Sequence, residues 1–569
     1  MNISRPGKLK VFPYLTLATF LLPILVGLIF TTIPAFGYLP AAGGSEFDFT
    51  PFLRLFSHPS LPAALRSTIF SGVTASIVSL TLALWIATAL YGTRLWKLAE
   101  FSLAPLLSLP HAAFAIGFVF LITPSGWLLR AISPVPSGFT HPPDWITAGD
   151  PWAVALTLTM ILKETPFLLL MVFSGLNRID VKRTVWVGRS LGYHRLRIWT
   201  RLIIPQLYPM LRLPLLAVLA YSLSVVDLAY IIGPSLPPPL AVLIDRWFND
   251  PDISNRLVGA AGAVFLFVIT LVCIALTMLA ELAIKRAATD RMLNGKRKSP
   301  FESFIPGARF FAGGLLLINT LSLLVLLIWS FCGIWRFPDF LPSLYSLSNW
   351  LRHGEYMLEP LGVSVVAALL SCIISGILVV GCLENEQTLT QARLVSISQR
   401  SLWIIFVPLL IPQISFLFGI QVLLVTLHLD GTWFALIWIH LVFVLPYVFL
   451  TLANTYRAYD QRYSHVGTTL SSSRFKTFAG IKLPILLKPI LFSAAVGFSV
   501  SIAQYLPTLY VGNGRFSTIT TETVNLAGGS DRRIIAVYAL CQFILPLIAY
   551  LTAITVPFLM HRNRQLMRN

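Results

Sequence analysis

The stretch "WVGRSLGYHRLRIWTRLIIP", Trp186 to Pro205, holds four arginines and no acid in a chain that is 56% hydrophobic and 11% charged. A later stretch, "HVGTTLSSSRFKTFAGIKLP", His465 to Pro484, repeats its skeleton. Val187 and Val466, Gly188 and Gly467, Leu191 and Leu470, Arg195 and Arg474, and Pro205 and Pro484 all stand 279 residues apart. The same offset pairs Arg183 with Arg462, Ser222 with Ser501 and Gly233 with Gly512. In a chain of 569 residues this reads as a duplication. Two parallel halves, 1–284 and 310–569, are joined by a basic, Pro-containing linker, 285–309.

With mean hydropathy +0.78, the chain is too apolar for an ordinary water-soluble enzyme. Its apolar runs match the roughly 20 residues that cross a hydrocarbon core as a helix. Twelve spans are expected. They lie at about 11–36, 65–92, 101–124, 151–176, 207–233 and 257–284 in the first half, and about 310–334, 361–383, 401–427, 433–455, 486–512 and 535–560 in the second. The expected fold class is an all-α polytopic membrane protein. The first run exceeds the roughly 7–15 apolar residues of a signal peptide and is read as a retained helix.

The formal charge of +19 sorts by side. The N-terminal arm, the 177–204 and 456–484 loops, the linker and the C-terminal "HRNRQLMRN" are basic, which places both termini in the cytoplasm. That distribution argues for membrane lipid as a partner and against nucleic acid. The five cysteines, Cys273, Cys332, Cys372, Cys382 and Cys541, sit in or beside apolar spans without CxxC spacing, and read as small buried hydrophobes. No disulfide framework and no metal site are expected.

Each repeated loop reads as a helix–turn–helix. Gly192 can close one short helix in the left-handed conformation, and a second helix runs from about His194 into the next span. Ser471 stands where Gly192 does, so hydroxyl-assisted local bonds are expected to make the second turn. Val187 with Leu191, and Val466 with Leu470, are i, i+4 apolar pairs on one face. An apolar face projecting from a membrane domain is useful only against another surface. Topogenic charge needs no fixed placement of Val, Gly, Leu and Pro, so the repetition points to a docking geometry used twice.

Gly192 and Ser471 precede Pro205 and Pro484 by 13 residues, and this pattern resembles the "EAA" loop of type I ABC importer permeases. Two copies in one chain resemble the fused permeases of iron(III) and thiamine importers, and "FSVSIAQYLPTLYVGNGRFSTITTETVNLAGGSDRR", Phe498 to Arg533, strengthens that likeness. The resemblance covers nearly the whole chain. It implies two MetI-like six-helix domains in a bacterial inner membrane. It also implies a coupling helix in each loop docked on a separate ABC ATPase, two copies in all, and a periplasmic substrate-binding protein. ATP and Mg would reside on the ATPase, with no cofactor on this chain. The loop residues implied are Val187, Gly188, Leu191, Gly192, Arg195 and Pro205, and Val466, Gly467, Leu470, Ser471, Arg474 and Pro484. The chain departs from the family pattern at the E-A-A positions, which hold Trp186, Val187 and Gly188 in one half and His465, Val466 and Gly467 in the other.

No G-x-x-x-x-G-K-[ST] phosphate loop occurs, since "NGKRKS" lacks the upstream glycine and the Lys–Ser order. Neither H-E-x-x-H nor G-x-S-x-G is present. The chain is therefore expected to be no enzyme, its energy coming from a partner. The alternative is a proton-driven twelve-helix secondary transporter, but "YGTRLWKLAEF" between spans two and three lacks that family's charged loop.

Polar residues inside spans are the remaining candidates, for lining a pathway or for bonding helices together. Lys163 and Glu164 lie mid-way along span four, pointing about 100° apart and toward different partners. His440 lies in span ten. Ser224 with Asp227, and Ser501 with Gln504, form related S-x-x-[DQ] pairs in spans five and eleven, each expected on one helix face. "PSGWLLRAISPVPSGFTHPPDW", "IGPSLPPPL" and "GNGRFSTITTETV" read as external loops.

Overall fold

A computed structural model describes residues 9–292, 297, 299–391, 400–471, 473–529 and 531–560. The terminal basic arms, most of the "GKRK" cluster and the Arg474 side chain lie outside the described residues. Among those described, the regular structure is helical, without a strand. Among the described residues ten helices are long and apolar enough to cross a bilayer, and twelve spans result when two bent pairs each count as one.

In chain order the unbroken spans are span 1 Val11–Ala35, span 2 Leu61–Leu90, span 4 Val154–Leu176, span 6 Asn255–Met292, span 7 Gly307–Phe331, span 8 Ser348–Gln391, span 10 Trp433–Arg457 and span 12 Arg532–Met560. The other four are interrupted. Span 3 is Arg94–Ser108 with His111–Ile122, and span 9 is Arg400–Leu410 with Ile414–Thr426. Span 5 is Ile204–Ser224 with Asp227–Ile232, and span 11 is Leu487–Ile502 with Leu506–Gly512. The expected linker begins as helix, because span 6 continues to Met292.

The interruptions fall at matching places in the two halves. In spans 3 and 9 the cause is a proline, Pro110 or Pro412, which has no N–H for the ladder and disfavours helix at the preceding residue. Leu109 is accordingly extended (ψ 114), and the two pieces of span 9 meet at 94°. In span 5 the β-branched Val225 is extended (ψ 130). The S-x-x-[DQ] residues therefore do not share a helix face: Asp227 opens the helix after the break, and Gln504 lies inside the break of span 11.

Two of the expected external loops are corrected: "PSGWLLRAISPVPSGFTHPPDW" contains the short helix Trp127–Ala131, and "GNGRFSTITTETV" enters the helix Ile519–Ala527. "IGPSLPPPL" is a loop up to Leu240, where the counterpart helix begins; Leu240–Phe248 and Ile519–Ala527 are both largely buried. Their first amides are bonded by hydroxyls from the second span of each half: Leu240 N donates to Thr68 Oγ1, and Ile519 N to Ser364 Oγ, both at 2.8 Å. At about nine residues each, they are too short to register as spans.

The first helix of each half packs on the other half. Span 1 lies against spans 8, 9 and 10, and span 7 against spans 2 and 3. Small residues permit these crossings. A Cβ at Gly419 would stand 1.9 Å from the Gly27 carbonyl oxygen, and one at Gly117 would stand 2.4 Å from that of Ser322. Gly419 N also donates to Thr31 Oγ1 at 2.9 Å. Gly419→Ala is expected to lower stability by about 1–3 kcal/mol through overpacking. Gly313→Ala, where an added Cβ meets nothing within 4 Å, should leave it nearly unchanged in the same thermal denaturation series.

Candidate functional site

The break in span 3 places His111 at the start of a helix, facing the middle of span 4. His111 Nε2 lies 3.2 Å from Glu164 Oε1, and its side chain stays 35% exposed, whereas Ala112 to Phe114 beside it are at most 2% exposed. Open space therefore adjoins His111. Its ring meets Tyr221 of span 5 edge-on at 5.4 Å. Tyr221 is within electrostatic range of Asp227, of Glu164 and of Tyr447 from span 10. Tyr221, Asp227 and Tyr447 are partly exposed. Two acids, a histidine and two phenols thus line a polar recess shared by both halves.

The recess is asymmetric. Pro166 and Pro446 occupy matching positions in spans 4 and 10, and two residues before them stand Glu164 and Val444. Asp227 opens the second piece of span 5, and Leu506 opens that of span 11. Both acids belong to the first half.

Lys163 turns away from the recess. Its Nζ donates to the carbonyls of Leu106 and Leu109, at 3.1 and 2.7 Å, where the first piece of span 3 ends. Those carbonyls have no helical amide to accept from, because the helix stops at Pro110. Lys163 and Glu164 accordingly take different partners. His440 is a helix bonder: Nδ1 lies 2.7 Å from Ser501 Oγ and Nε2 lies 3.1 Å from Thr508 Oγ1. It therefore spans the break of span 11. The Ser224 hydroxyl donates to Ala220 of its own helix at 2.8 Å, and Gln504 is buried.

Both repeated loops form short helices, Val181–Ser190 and Arg462–Ser471, followed by turns and second helices that begin at Arg195 and Arg474. The Asp180 carboxylate caps the first by accepting from Arg183 N. Gly192 makes the turn at φ +80. In the second loop the Ser471 hydroxyl lies 3.2 Å from the Ser473 carbonyl oxygen and 2.9 Å from Thr477 Oγ1. A single π-turn follows in each half, Trp199–Ile203 and Phe478–Lys482. Pro205 and Pro484 lie just beyond and cannot donate to the carbonyls four residues back.

The shared skeleton divides into two sets. Trp186, Val187 and Leu191 are 73, 41 and 54% exposed, and Val466 and Leu470 are 60 and 81% exposed. These are the outward face. Gly188 and Gly467 face inward, where a Cβ would approach Ile198 Cγ1 to 2.8 Å and Ile481 Cδ1 to 2.5 Å. Arg195 also turns inward. It donates to the Thr88 and Tyr91 carbonyls at 2.5 and 2.8 Å, fastening the loop to the end of span 2. In the second half Lys482, 4% exposed, bonds Glu384 and Gln387 of span 8.

Sequence reading missed His111, Tyr221, Tyr447 and Lys482, whose importance lies in contacts across the fold. Only the Leu-Pro-His order at 109–111 hinted that a span would break at a titratable residue. Lys163→Met should orphan the two carbonyls and destabilise the chain by on the order of 2 kcal/mol, and the shortfall in thermal stability should not be recovered in Lys163→Leu.

No family model matches the chain. It is 33% identical over 506 residues to the inner membrane ABC transporter permease protein YnjC of Escherichia coli (strain K12), covering 89% of this chain and 90% of that one. Similarity of that extent, over a helical multi-span fold, places the chain in the family of inner-membrane ABC transporter permeases.

Proposed function

We propose that the chain is a fused permease of a type I ABC importer of the iron(III)/thiamine kind. Residues 1–284 and 310–569 act as its two MetI-like domains, with 285–309 as their cytoplasmic linker and both termini in the cytoplasm. The observation that carries this reading is the outward face of each loop helix. Val187 with Leu191, and Val466 with Leu470, expose apolar side chains on helices that pack against following segments fastened to spans 2 and 8. Such a helix presents a surface for a partner and a rigid path into the membrane. The partners are two copies of an ABC ATPase, which hold ATP and Mg. A periplasmic binding protein delivers the solute.

The recess of His111, Glu164, Tyr221, Asp227 and Tyr447 is the passage. Two acids and phenolic walls suit a small cationic solute, because carboxylates supply charge and aromatic faces attract cations. ATP-driven approach of the ATPase copies would exchange the side to which the recess opens.

Val187→Asp with Leu191→Asp, combined with Val466→Asp and Leu470→Asp, is expected to abolish co-purification of the ATPase while leaving the melting temperature of the chain unchanged. Undiminished co-purification, or proton-driven uptake by the chain alone, overturns the importer reading. Asp227→Asn is expected to lower uptake in reconstituted vesicles by roughly tenfold, as for a lost contact of about 1.4 kcal/mol to the solute. Unchanged uptake removes Asp227 from the passage.

A further inference from the structure

Asp245, on the short helix Leu240–Phe248, is 2% exposed and takes no part in the recess. Its Oδ2 accepts from the Tyr230 hydroxyl and its Oδ1 from the Tyr510 hydroxyl, both at 2.8 Å, and Asn249 Nδ2 donates to Oδ1 at 3.3 Å. Tyr230 and Asn249 belong to the same half as Asp245. Tyr510 sits on the second piece of span 11, in the other half. The Tyr510–Asp245 bond therefore crosses the seam between the halves.

The place of that bond gives it a role. Tyr230 lies beyond Asp227 along span 5, on the side away from the basic loops, so the Asp245 layer sits between the recess and that side. Apolar packing closes the same layer: Phe248 stacks on Phe418 of span 9 at 4.1 Å, and Tyr510 meets Phe248 edge-on at 6.1 Å. The 279-residue offset puts Val524 at the position of Asp245 in the second short helix. The seam thus carries this carboxylate bond once, without a symmetric copy.

We infer that Asp245 and Tyr510 form the latch that holds the passage shut on the side away from the basic loops, an inference that rests on the recess being the passage. Opening of that side draws the second piece of span 11 from the helix Leu240–Phe248 and breaks the Tyr510–Asp245 bond. Tyr230 moves with Asp245 and keeps its carboxylate bonded. Asp245 and Tyr510 are positioning residues: they set the balance between closed and open states and need not touch the solute.

The test uses the full chain without its ATPase, so its outcome is separate from that of the docking variants. The five native cysteines are replaced by alanine, and a single thiol is introduced by Ala503→Cys at the partly exposed break of span 11. A membrane-impermeant methanethiosulfonate is then applied from the side away from the basic loops. Tyr510→Phe, which keeps the ring and removes the cross-seam bond, is expected to speed labelling by roughly tenfold, the shift that one lost bond to a charged acceptor produces. Tyr230→Phe, which removes a bond within one half, should leave the rate within about twofold of the parent. If Tyr510→Phe fails to assemble, Asp245→Leu, which leaves Tyr510 no acceptor at that position, is read in its place with the same expectation. Equal rates in the parent and the cross-seam variant overturn the latch, as does equal acceleration by Tyr230→Phe and Tyr510→Phe, which would mark Asp245 as general support for the fold.

Discussion

A helix that stops inside a membrane leaves amides and carbonyls with no water to bond them, and this fold stops helices there repeatedly. Lys163 answers for the carbonyls of Leu106 and Leu109, and Thr68 and Ser364 for the first amides of the two short buried helices. His440 ties the two pieces of span 11 through Ser501 and Thr508. Without such partners each break would cost several kcal/mol. With them, the backbone can bend and give up helical regularity where the two halves meet, and His111 and Asp227 reach the recess because of those bends.

The loops obey a related logic at the membrane surface. Gly188 and Gly467 let one short helix lie directly on the next, and the basic residues Arg195 and Lys482 fasten the assembly to the ends of spans 2 and 8. A displacement applied to the outward apolar face is therefore not absorbed by a slack loop. The E-A-A glutamate is absent from both loops, and the inward fastening does not depend on it. In the first loop a carboxylate comes instead from the linker: Glu302 accepts from Leu196 N, the second residue of the loop's second helix, at 3.2 Å.

Much of this was legible in the sequence. Hydropathy marks apolar length, so the twelve spans could be read in order, and the V-G, L, R, P skeleton marked the loops, because both signals are local and periodic. What hydropathy cannot register is where a hydrogen bond goes. Lys163 and Glu164 look alike as intramembrane charges, yet one completes a helix end and the other faces the recess. Ser224 and Asp227 look like neighbours on a helix face until Val225 turns extended between them. Asp245 was hidden because it follows "PSLPPPL", a run that reads as loop. Tyr221 and Tyr447 carry no signal that separates them from other tyrosines.

Span 1 packs on the second half and span 7 on the first, so contacts between helices join the halves as well as the chain between them. On the proposed reading of two fused domains, the linker also sets composition. Glu164 and Asp227 come from one half, opposite Val444 and Leu506 in the other, so free assembly of separate halves would also yield pairs with twice the acid and pairs with none. Covalent fusion guarantees every molecule one of each, and a recess whose charge lies on one wall.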